Sequence, residues 1–127
     1  MGVETSKEGW LRSIKGPDYK ILVIEGVEEL DPLDDNVDVE VHFDDGRVYS
    51  ATLFTLNNLH SLFNNDESTG DCGGGSYLWA VQMVIVRSLT PDAIAEAVAA
   101  LIADGKLEQA FVFVRYADQT ENGPPDD

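Results

Sequence analysis

Cysteine is almost missing from this 127-residue chain, with Cys72 the single example. One thiol closes no internal disulfide, so burial and hydrogen bonding must hold the fold, and a reducing compartment suits it. Basic residues are scarce too: eight Lys and Arg stand against 24 Asp and Glu, a formal net charge of −16. That imbalance argues against nucleic acid and anionic membrane as partners, because both would repel it. No apolar run approaches the roughly 20 residues of a membrane helix. The first ten residues, Met1 to Trp10, contain no apolar core of signal-peptide length. A cytoplasmic location is therefore expected.

Hydrophobic residues make up 43% of the chain. A single domain of this length can bury roughly two thirds of the surface its unfolded form exposes. The most apolar stretch is Ser76 to Val86, with Gln82 its only polar interior residue. Its composition and its glycine-rich approach read as a central strand buried on both faces. In that setting Trp79 belongs to the core, and the Gln82 amide must find partners that pin register or a helix contact.

The remaining elements follow from periodicity and punctuation. Trp10, Leu11 and Ile14 have helical spacing, which allows a short helix in front of Pro17. Tyr19 to Glu25 reads as a strand. Val37 to Phe43 alternates strictly, with Asp38, Glu40 and His42 on the wet face. Asp45-Gly46 marks a hairpin returning through Arg47 to Thr55. Thr55 can cap a helix over 56–64, followed by a loop to Gly75. Thr90-Pro91 opens a second helix that Gly105 stops. Phe111 to Tyr116 is a last strand. The expected fold is α+β: a mixed sheet of about five strands with two helices, in the order β-β-β-α-β-α-β. Residues 1–117 form one domain, and 118–127 an acidic, mobile tail.

Candidate chemistry is thin. Asp34-Asp35-Asn36-Val37-Asp38 invites a calcium loop, but the positions that need Gly and Glu hold Val39 and Asp45. The Gly70 to Ser76 loop lacks the lysine of a phosphate loop and leads into a strand. Cys72 with His42 or His60 could form a thiol enzyme or sensor, yet its neighbours are acidic, and an attacking thiol needs a lowered pKa. Two histidines and one cysteine make no zinc spacing. No cofactor or metal is expected. What stands out is negative charge: Asp34, Asp35, Asp38, Glu40, Asp44 and Asp45 form the candidate surface for a basic protein partner, whose approach complementary charge would steer. The oligomeric state is left open.

The segments Tyr49 to Leu59, Thr69 to Cys72, Tyr77 to Ala80 and Met83 to Val86, continuing through Leu89 and Ile94 to Phe111, resemble a group of small bacterial proteins similar to the immunity proteins of toxin systems. The resemblance implies a small, non-enzymatic cytosolic domain that binds and neutralises one cognate toxin. It brings no catalytic residue with it.

Overall fold

A computed structural model describes residues 4–26, 29–79 and 82–117. The expected tail, 118–127, lies outside the described residues, as do Glu28 of the acidic loop and Ala80 and Val81 of the apolar run. The fold is α+β, with more elements than the sequence suggests. In chain order they are β1 (Thr5–Glu8), β2 (Leu11–Lys15), β3 (Tyr19–Ile24), β4 (Asn36–Phe43), β5 (Arg47–Thr55), α1 (Leu56–Thr69), α2 (Asp71–Gly75), β6 (Met83–Val86), α3 (Pro91–Ala103), α4 (Leu107–Ala110) and β7 (Val112–Tyr116).

One sheet holds all seven strands. β1 to β5 are neighbours in chain order and antiparallel. The far edge of β5 is shared: its C-terminal half pairs with β6 in parallel, and its N-terminal half pairs with β7 antiparallel. Gln82, just before β6, links β5 to the end of α4. Its carbonyl accepts from the Thr52 N–H at 3.1 Å, and its side-chain amide donates to the Ala110 carbonyl at 3.1 Å. The expected partner for this amide is therefore the end of a short helix.

Pleating divides the sheet into two unlike faces. Ile14, Ile21, Val23, Val39, Val41, Ala51 and Leu53 point one way and are buried. They form one cluster with Ile94 and Val98 of α3, Leu107 of α4, and Phe111. The opposite face carries Asp38, Glu40, His42, Ser50 and Thr52, all half-buried or exposed.

Three expectations need correction. The N-terminal segment is a hairpin, not a helix. Gly9 turns it at φ 62, and pairing then sends Ile14 into the core while Trp10 stays exposed. The run Ser76 to Val86 is no central strand. Among its described residues Met83–Val86 forms a strand, at the sheet margin, and Gln82 just before it sits in the left-handed region at φ 52. Tyr77 and Trp79 are accordingly outside the core, with Trp79 70% exposed. Finally, α1 runs on through the expected loop to Gly70, whose φ of 88 closes it. The turn that follows is left-handed at Cys72, Gly73 and Gly74, which side chains other than hydrogen rarely tolerate.

Candidate acidic docking site

The six candidate carboxylates are strung along β4 and its two ends. Asp34 and Asp35 precede the strand, Asp38 and Glu40 lie within it, and Asp44 and Asp45 form the turn beyond it. Eight extended residues span roughly 26 Å, so the two ends cannot touch one small ligand together.

At the far end one cation, Arg47, serves two carboxylates. Asp45 holds Arg47 at 2.9 Å, and Arg47 also reaches Glu108 at 3.2 Å. Those contacts, beginning with the Arg47 backbone N–H, hold the Asp45 carboxyl below the usual range. In mid-strand, Glu40 bonds His42 at 2.8 Å and Arg115 at 3.2 Å. Desolvation alone would raise the Glu40 pKa, but hydrogen bonds and charge from these two partners bring it below normal. Elsewhere, Lys7 and Arg12 are both spent on Glu25, at 2.9 and 2.6 Å. Asp44 has no cation within ion-pair distance among the described residues.

The near end differs. Glu29, Asp31, Asp34, Asp35 and Asp38 have no cation within ion-pair distance among the described residues. Their partners are neutral. Asp31 accepts from the Leu33 N–H, Asp34 from the Ser61 hydroxyl, and Asp38 from the Thr52 hydroxyl at 2.7 Å. Asp35 accepts from the N–H groups of Asp31 and Asn36. The loop is further tied down by the Leu89 N–H, which donates to the Pro32 carbonyl at 2.8 Å. The result is a braced loop of carboxylates that form no ion pair among the described residues, with Arg87 lining the crevice beside it.

Cys72 does not meet a histidine in any hydrogen bond among the described residues. Desolvation, then the carboxylates of Asp66 and Asp71, push its thiol above the ordinary cysteine value. That is the opposite of what an attacking thiolate needs. His42 is engaged with Glu40, and His60 is exposed on α1. Among the described residues no three His, Cys, Asp or Glu side chains are grouped to hold a metal ion, and no helix is long and apolar enough to cross a membrane.

Two features of this region escaped sequence reasoning. The Glu40–Arg115 pair joins residues 75 apart, with no local signal. The second is apolar: Leu33 and Leu56 flank an open crevice of about 530 Å³ beside the acidic loop and are 58% and 69% exposed. Comparison with protein-family models, with curated proteins and with solved structures finds no match.

Proposed function

We propose that this chain is a non-enzymatic binding domain that captures a basic protein partner in the cytoplasm, most plainly a toxin that it neutralises. The observation that carries this reading is the uneven neutralisation of β4. Four of the eight Lys and Arg side chains, Lys7, Arg12, Arg47 and Arg115, pair with Glu25, Glu40, Asp45 and Glu108, while the loop carboxylates and Asp38 have only neutral partners among the described residues. Such an arrangement draws in a cationic surface and speeds its association. On a toxin that handles phosphate, the same carboxylates would occupy the place of the substrate. The resemblance to immunity proteins supports the same direction, and so does a thiol whose pKa is pushed up by desolvation and by Asp66 and Asp71.

The test is direct. The protein is mixed with the products of its adjacent genes, and complex formation is measured at low and moderate salt. Tight binding of a basic product, with an association rate that falls as salt rises, is expected. Replacing Asp34, Asp35 and Asp38 together by Asn should slow association several-fold, whereas Asp45→Asn should change it little. Failure of every adjacent product to bind at either salt concentration would overturn the reading.

A further inference from the structure

The helix α1 buries the wrong residues for an ordinary surface helix. Asn58 and Asp66 are buried, at 9% and 8% exposure. Asn58 accepts from the Asn36 amide on β4 at 2.9 Å, which fixes the helix to the sheet by a polar contact. Its apolar stripe borders that inward face, and its outer part is left in water. At 3.6 residues per turn, Leu56, Leu59 and Phe63 share about 60° of arc. Leu56 and Phe63 are exposed and Leu59 is half-buried. At the N-terminal end the stripe meets Leu33 across the crevice. Leu33 is held in place by its N–H bond to Asp31, so the apolar surface runs straight into the loop carboxylates.

We infer that the stripe Leu56–Leu59–Phe63, extended by Leu33, is the docking surface for an amphipathic helix of the partner with an apolar face and lysine or arginine flanks. This deepens the protein-binding reading and rests on it. The occupant follows from charge complementarity: the apolar strip is bordered at Leu33 by Asp31 and Asp34, which demand cations on whatever covers it. An apolar centre with a charged, solvated rim is the anatomy of specific interfaces, and a helix laid along a helix uses anchors at the spacing seen here. Arg87, which also lines the crevice, gives the site polarity and selects one orientation of the bound helix.

The probe is a synthetic amphipathic helix built only of leucine and lysine, titrated into the isotope-labelled protein with amide shifts read by NMR. A lysine-only peptide of equal charge is the control. Shifts centred on Leu33, Leu56 and Phe63, weaker binding of the lysine-only peptide, and an about tenfold loss of affinity in Leu56→Ser/Phe63→Ser are expected. Leu33→Ser, on the loop rather than the helix, should weaken binding as well, and guards against a helix that simply fails to fold. Equal binding of the two peptides, shifts elsewhere, or no binding would overturn the inference. Failure of this proposal is separable from failure of the reading beneath it. A basic gene-neighbour product that binds the wild type and Leu56→Ser/Phe63→Ser equally well sinks the stripe and leaves the binding function standing.

Discussion

Helices α1 and α3 begin in the same way and end in opposite situations. Each is capped by a threonine hydroxyl that accepts an N–H three residues on, from Asn58 in α1 and from Ala93 in α3, both at 3.2 Å. Capping is thus a local matter, decided by a few adjacent residues. Burial is not. α3 turns Ile94 and Val98 into the core, each 1% exposed, while α1 turns Asn58 and Asp66 inward and leaves Leu56 outside. The difference teaches that α3 is held by the sheet it covers, whereas α1 is held by its ends and by polar contacts. Two apolar side chains of this helix, Leu56 and Phe63, are left exposed.

The contrast breaks most severely at the core. Ile94→Ala removes buried methyl groups next to the sheet and should cost about 2–5 kcal/mol. Urea denaturation should register this as a lower midpoint with an unchanged slope. A loss below 1 kcal/mol would mean that α3 is not anchored as its burial implies.

The caps come next. Thr55 is buried, and besides capping α1 its hydroxyl accepts from the Asp35 N–H at 3.3 Å. Thr90 is exposed and caps only. Thr55→Ala therefore strands two N–H groups and should cost about 1–2 kcal/mol, while Thr90→Ala should lie near the lower end of the usual range, about 0.5–1 kcal/mol. Equal losses would dissolve the claim that α1 depends on its ends.

The C-terminal end of α1 is read through Cys72. Desolvation and the nearby Asp66 and Asp71 raise its thiol pKa, so at pH 8 less thiolate should be present than in a free cysteine. Alkylation by iodoacetamide should be slow, with a pH midpoint above that of a model thiol. Asp66→Asn removes one of the carboxylates and should shift the midpoint down and speed the reaction. A midpoint below that of the model thiol would revive the thiol chemistry that the sequence left open.

Much of this was legible in advance, for a physical reason. β4 declares itself because one face is dry and the other wet, so Val37, Val39 and Val41 alternate with Asp38 and Glu40. The turn at Gly46, with φ 99, and the start of α3 at Pro91 rest on backbone chemistry of single residues. The errors arise where local pattern and tertiary setting disagree. Trp10, Leu11 and Ile14 fit a helix until Gly9 folds the chain back on itself. Ser76 to Val86 is apolar enough for a core strand, but a left-handed Gln82 interrupts it and leaves Trp79 in solvent. The candidate carboxylates can be listed from the sequence, yet which of them meet a cation depends on partners such as Arg115, far away in sequence.

The smallest expected effect is the most informative about α1. Leu56→Ser replaces a large apolar side chain at the first helical position, where 69% of the residue is already in water. Little burial is lost, the cap from Thr55 is untouched, and the change in unfolding free energy should stay within about 0.5 kcal/mol. Ile94→Ala, of similar chemistry on the other helix, should cost several times more. If Leu56→Ser instead destabilises strongly, the stripe on α1 serves the fold itself and has no need of a partner. If stability is unchanged, leucine at this position has no structural employment, as the proposed docking stripe requires.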